Sequence, residues 1–169
     1  MRILIVGAGA TGGFFGGRLT EAGRDVTFLV RGQRADQLRR NGLQIHSPLG
    51  DATVQPKLTV AEDLRASNQP FDLVIVATKA YSLEAALDDF APAVGPETTI
   101  LPILNGLRQL DILDARFGTE RVLGGSCRVV GDVDSEGRVV QMSKLGEITF
   151  GERSREHTPR IERIAAALR

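Results

Sequence analysis

A single cysteine, Cys127, occurs in 169 residues, so no intrachain disulfide can form. One free thiol fits a reducing cytoplasm. Net charge is also missing, since 21 Lys+Arg balance 21 Asp+Glu. That balance argues against a general nucleic-acid or membrane-surface binder. No apolar run approaches the ~18 residues needed to span a bilayer. The opening stretch MRILIVGAGATGG lacks the separate charged and apolar regions of a secretory signal. There is no G-x-S-x-G elbow and no G-x-x-x-x-G-K phosphate loop. No His/Cys/Asp/Glu grouping has metal-ligand spacing. Internal repeats and low-complexity segments are absent too.

What is present reads as one globular domain with a short appendage. Hydrophobic residues make up 42% and charged residues 25%, the ordinary balance of a folded chain. A chain this long buries roughly 70% of its unfolded surface, enough for a substantial core. Glycine is abundant at 19 residues, above the usual ~7% share, and the placement of those glycines is informative.

Arg2 to Val6 is a short apolar, β-branched run that suits a strand buried on both faces. Glycines follow at once. Phe14, Phe15, Leu19 and Ala22 then recur at helical spacing before Gly23. Asp25 to Val30 reads as a second strand. This strand–turn–helix–strand unit of about 30 residues has the size of a βαβ module, which would make the strands parallel neighbours. Ala35 to Arg40 predicts a short helix. Leu43 to His46 and Ala52 to Lys57 predict a hairpin. Ala61 to Ala66 reads as a turn or two of helix, and Ser67-Asn68-Gln69-Pro70 as a loop. Phe71 to Ala77 is the strongest buried-strand signal. Leu83, Ala86, Leu87 and Phe90 share one helical face. Thr99 to Leu104 predicts another strand, and Leu110, Leu113 and Phe117 another helix.

Past Val122 the rhythm changes. Short pieces (Arg128 to Val130, Arg138 to Met142, Glu147 to Phe150) alternate with turn residues, which predicts an antiparallel meander added to the sheet. Thr158-Pro159 reads as a helix N-cap followed by proline at the first position. Ile161, Ile164, Ala165 and Leu168 then repeat at helical spacing up to Arg169. The pattern stops in mid-course, so residues 153–169 are expected to begin a helix that continues in a longer parent. A helix ending at a natural terminus is the competing reading. A truncated helix would expose its apolar stripe, which invites self-association and predicts homodimers.

Gly7-Ala8-Gly9-Ala10-Thr11-Gly12 is G-x-G-x-x-G, a weak pattern alone. Here it follows an apolar strand and opens a helix. Gly7 would permit the tight turn, and Gly9 would let backbone approach a pyrophosphate. Gly12 would let helix and strand pack closely. Free N–H groups at the helix start would hold the phosphates. The alternative is a glycine-rich turn with no ligand.

The end of the second strand bears on which dinucleotide would bind. A carboxylate there would bond the ribose 2′-OH of NAD. This sequence has Arg31 instead, with Gln33 and Arg34 nearby and no acid before Asp36. A guanidinium can bind a 2′-phosphate through two charge-assisted hydrogen bonds, so NADP is favoured over NAD. The alternative for Arg31 is a solvated loop arginine. Lys79 and Asn105 follow two further strands, at the ends where ligands sit in open parallel sheets. Lysine offers positive charge, and asparagine offers both a donor and an acceptor. A loop lysine and an αL turn at Asn105-Gly106 are the competing readings. His46 and His157 read as solvated. Cys127 reads as a half-buried strand residue with no activating base beside it.

The chain resembles the ketopantoate reductase (2-dehydropantoate 2-reductase) family. The motifs that carry this are MRILIVGAGATGG, LVRG with LRRNGLQI, VIVATKAY, LNGL, and VLGGSCRVVG through ITFGE. They occur in the family's order over residues 1 to about 152. The resemblance implies reduction of ketopantoate by NADPH, a step toward pantothenate. It implies that Gly7 to Gly12 hold the pyrophosphate and Arg31 the 2′-phosphate. Lys79 would lie along the cofactor, and Asn105 where nicotinamide and substrate meet. Val130 would fall near the nicotinamide. The family's general-acid lysine and most substrate-binding residues belong to a second, helical domain. No residue up to Arg169 corresponds to that lysine, so this chain would carry no catalytic residue and little reductase activity.

The expected architecture is therefore a Rossmann-type, doubly wound α/β domain. Its sheet is mainly parallel with an antiparallel extension, it occupies residues 1–152, and residues 153–169 lead out of it. The expected partners are NADP and a small 2-keto acid, with no nucleic acid and no membrane. Two rivals stay open: a dehydrogenase of another 2-hydroxy acid or an opine, and a non-catalytic NADP-sensing module.

Overall fold

The structure, a computed structural model, describes residues 1–67 and 69–169; Asn68, in the expected loop, lies outside them. Nine strands and six α-helices occur along the described residues. They are β1 (Arg2–Val6), α1 (Ala10–Glu21), β2 (Asp25–Leu29), α2 (Gly32–Asn41), β3 (Leu43–His46), β4 (Ala52–Val54), β5 (Lys57–Thr59) and α3 (Ala61–Ser67). Then come β6 (Leu73–Val76), α4 (Leu83–Phe90), β7 (Thr99–Pro102), α5 (Arg108–Phe117), β8 (Gly124–Val133), β9 (Val139–Gly151) and α6 (Pro159–Leu168).

The main sheet has the order β5-β2-β1-β6-β7, and every pairing in it is parallel. Its central strands are apolar on both sides because both faces are covered. In β1, Ile3 and Ile5 join one core cluster with Phe14, Phe15 and Leu38. Leu4 and Val6 join the other, with Leu64, Leu83, Phe90 and Leu113. The alternation along one strand thus divides the core in two: α1, α2 and α6 pack on one side, and α3, α4 and α5 on the other.

Two expectations change. Ala52 to Lys57 is not one strand. Pro56 has no N–H to give to a ladder, and the chain breaks there. Residues 52–54 complete the hairpin with β3, while β5 crosses to the main sheet and pairs with β2, Leu29 opposite Thr59. The antiparallel segment does not extend the main sheet either. The pairs β8–β9 and β3–β4 form a second sheet of order β4-β3-β9-β8. It lies across α1, so this helix is enclosed between two sheets.

That enclosure explains the glycines inside α1. A Cβ on Gly16 would lie 2.6 Å from the Phe28 ring, and one on Gly17 2.6 Å from Ile45 Cδ1. The helix approaches both sheets closely only because these side chains are missing.

The last helix starts as expected, with Thr158 as N-cap accepting from the Ile161 N–H at 3.4 Å and Pro159 in the first turn. Glu152 fixes this start, accepting from Thr158 Oγ1 at 2.6 Å and Arg160 Nε at 2.9 Å. The stripe expected to be exposed is not: Ile161 and Ile164 are 8% and 2% exposed, packed into the first core cluster. Covering by this chain's own core removes the ground on which self-association was expected. Among the described residues, no helix is long and apolar enough to cross a membrane.

Candidate functional site

The carboxyl ends of β1, β2, β6 and β7 lie level, with Val6 beside both Leu29 and Val76, and Val76 beside Pro102. From β1 the chain turns into α1 on one face. From β6, its sheet neighbour, the chain turns toward α4 on the other face. The two connections diverge and leave a crevice at this switch point.

The glycine turn forms the crevice wall. Gly7 has φ +99°, a conformation that L side chains rarely adopt. A Cβ on Gly12 would overlap the Gly7 carbonyl oxygen and lie 3.0 Å from Ala77 Cβ. Gly12 thus sets the helix against the strand and does not line the crevice. A Cβ on Gly9 would meet nothing within 4 Å, so the open space faces the Gly9 backbone. Gly9 is also the N-cap of α1, with no side-chain cap. The Gly13 N–H bonds back to the Gly9 carbonyl at 2.7 Å. The N–H groups of Ala10, Thr11 and Gly12 have no intrahelical acceptor, at the positive end of the helix dipole.

Two cavities meet at this turn. One, of about 330 Å³, is lined by Ala8, Gly9, Arg31, Arg34 and Asp89 among others. The second, of about 370 Å³, is lined by Ala10, Thr11, Lys79, Asn105 and Cys127 among others. Gly7, Gly9, Thr78 and Ser82 line both, so the turn is the waist of a two-lobed cleft. Thr78 Oγ1 is buried at this waist without a hydrogen-bond partner. An unsatisfied buried hydroxyl costs stability and marks a place where a polar ligand atom would be welcome.

The residues singled out in the sequence are distributed over this cleft. Ala8 and Arg31 line the first lobe; Ala10, Thr11, Lys79 and Asn105 line the second. Arg31 is not a free loop arginine. Its Nε donates to Asp89 Oδ2 at 2.6 Å and its Nη2 to the Ala85 carbonyl at 2.7 Å. Asn105 is not an αL turn residue, since Gly106 takes the positive φ, at +111°. Lys79 and Asn105 are exposed on the rim. Val130 points away, 54% exposed, and it is Val129 that lines the cleft. Alternation along β8 sets that outcome, since Cys127 and Val129 face the cleft while Arg128 and Val130 face outward. His46 and His157 lie in exposed positions beside Asp51 and Glu162.

Four polar residues of the lining had no role assigned from the sequence. Thr78 and Ser82 flank Lys79, and adjacency was the only available signal. Arg34 is half-buried. Its Nε donates to the Ala8 carbonyl at 2.9 Å and its Nη1 to Gly137 at 2.7 Å, tying the glycine turn to the β8–β9 connection. Burial pushes its pKa down from the ordinary arginine value. Asp89 comes from α4, far from the glycine turn in sequence, and nothing in the pattern marked it. Cys127 Sγ donates to the Ile103 carbonyl at 3.2 Å, and burial pushes its thiol pKa up, away from a reactive thiolate.

A parallel sheet of this order, with a G-x-G-x-x-G turn at its switch point, defines the Rossmann-type class of α/β domain. Within that class the chain belongs to the ketopantoate reductase PanE/ApbA family, whose model matches residues 3–155. It is 44% identical to the uncharacterized oxidoreductase YkpB of Bacillus subtilis, over 99% of this chain and 54% of the relative. The crystal structure of 2-dehydropantoate 2-reductase from Geobacter metallireducens superposes with a TM-score of 0.88 at 34% identity, over 99% of this chain and 55% of that one. A D-mandelate dehydrogenase solved with NADH and anilino(oxo)acetate superposes at 0.87 with 25% identity, over 99% and 54%. The chain spans about half the length of the relatives it matches.

Proposed function

We propose that this chain is the NADPH-binding part of a 2-dehydropantoate 2-reductase. The observation that carries the reading is the two-lobed cleft. It has a bare Gly9 backbone at the waist, an arginine in one lobe, and an amine and an amide on the rim of the other.

The residues fit a dinucleotide by chemistry. The uncapped N–H groups of Ala10 and Thr11 bind a pyrophosphate, helped by the α1 dipole, while Gly12 allows the close packing that sets them there. Thr78 Oγ1 offers its unused hydrogen bond at the same waist. Arg31 takes a 2′-phosphate with the guanidinium edge that Asp89 and Ala85 leave open. Lys79 lies along the cofactor near its ribose and supplies positive charge, and Asn105, where nicotinamide and substrate meet, orients a carboxamide or keto oxygen through its donor and acceptor. When bound, the nicotinamide supplies the hydride. The resulting alkoxide needs a proton donor and a closed site. The family resemblance assigns the donor to a lysine of a second, helical domain. Residues 1–169 tested by themselves therefore bind cofactor and turn ketopantoate over slowly at most.

Thermal shift tests this directly, because a ligand that binds only the folded state raises the midpoint. NADPH should stabilise the chain more than NADH, and Arg31→Ala should erase the difference. No shift with either cofactor at millimolar concentration would sink the proposal. Near-normal ketopantoate turnover would overturn the assignment of the general acid.

A second reading has one observation in its favour, the likeness to a D-mandelate dehydrogenase solved with NADH. Under it the chain serves a different 2-hydroxy acid and prefers NADH. Tighter binding of NADH than NADPH would select it.

A further inference from the structure

We propose that Asp89 is a specificity-determining residue that narrows the margin between NADPH and NADH. The inference rests on the dinucleotide reading above and extends it to a residue outside the glycine turn and the β2 end.

Asp89 lies in the adenosine-side lobe with Arg31, its side chain 17% exposed against 60% for Arg31. It takes the Nε edge of that guanidinium, and Ala85 takes Nη2. A second arginine, Arg65, stands 3.8 Å from its other oxygen. The carboxylate therefore occupies one of the edges through which a guanidinium can grip a phosphate in bidentate fashion. A 2′-phosphate must displace the carboxylate or share the guanidinium with it at close range. Either way, like-charge repulsion subtracts from what Arg31 supplies. A ribose 2′-OH meets the opposite situation, because a carboxylate accepts its hydrogen bond. In NAD-binding sheets that acceptor comes from the end of the second strand. Here that position is Arg31, and α4 brings the acid to the same lobe.

The helix itself gives no reason for this residue. Asp89 is the penultimate residue of α4, where a negative charge opposes the dipole. Its two arginine neighbours come from other elements, Arg31 from the end of β2, where it lines the cleft, and Arg65 from α3.

Calorimetry with four ligands, NADPH, NADH, 2′-AMP and AMP, tests the idea on the intact chain. In Asp89→Asn, NADPH and 2′-AMP should tighten by about tenfold, while NADH and AMP stay level or weaken. Asp89→Ser, an uncharged acceptor, should move the ratio in the same direction if the asparagine variant fails to fold. In the unaltered chain, the preference for NADPH should stay below about a hundredfold. A ratio unchanged in both variants, or equal shifts for all four ligands, would reduce Asp89 to a structural anchor of Arg31 and overturn the proposal. So would a preference above about a thousandfold in the unaltered chain. Failure of the dinucleotide reading looks different, as all four ligands would then leave the chain untouched.

Discussion

Thr78 holds a hydroxyl that is buried and unpartnered at the point where the two lobes meet. A group of this kind costs about 1–3 kcal/mol while it stays unmade. Thr78→Val keeps the shape and removes the polar atom. The ligand-free variant should be as stable as the parent or more so, by about 1 kcal/mol in urea unfolding, while NADPH affinity falls about tenfold. A variant that loses stability and keeps its affinity would place Thr78 in the fold alone. Arginines show how differently one residue type is used. Arg31 is held in the lobe by a carboxylate and a carbonyl, whereas Arg34 spans the glycine turn and the β8–β9 connection. Sequence could name Arg31 because it stands at a strand end. It could not pair it with Asp89, because a charge pair 58 residues apart leaves no periodic trace.

At the scale of elements, α1 decides most. Helix propensity argues for alanine over glycine by ~1 kcal/mol, yet this helix keeps Gly12, Gly13, Gly16 and Gly17. Packing outweighs propensity, since a Cβ at Gly16 would press on Phe28 and on Ile5 Cγ1, 2.9 Å away. Overpacking of this kind costs typically 1–3 kcal/mol. Gly16→Ala should therefore lower stability by about 1 kcal/mol net, read as a lower urea midpoint at unchanged slope. A gain would show that the two sheets can part around the helix. Strand β5 teaches a related point. Lys57–Thr59 is too short to announce its partner, so the sequence ran one strand through Pro56 and showed neither the break there nor the crossing to β2.

At the scale of the whole molecule, α6 is bound into the domain by its apolar face and by Glu152. The Arg160 hydrogen bond, ahead of the one from Thr158, holds the Glu152 carboxyl below the ordinary 4.5. A lowered folded-state value stabilises the fold above the unfolded pKa. That contribution fades as pH drops through the folded value. Glu152→Gln should cost about 1 kcal/mol at pH 7, and the gap to the parent should narrow as pH falls below the unfolded value and through the lower folded one. A gap independent of pH would assign the loss to packing. The sequence by itself determined the parallel βαβ core, the glycine turn and the strand ends where ligands sit, because strand burial and turn chemistry are local and periodic. Only the tertiary structure decided that the antiparallel strands form their own sheet over α1, that the α6 stripe is covered, and that Asp89 faces Arg31. Each of these depends on contacts between residues far apart in the chain, and such contacts exist only once the layers have closed on one another.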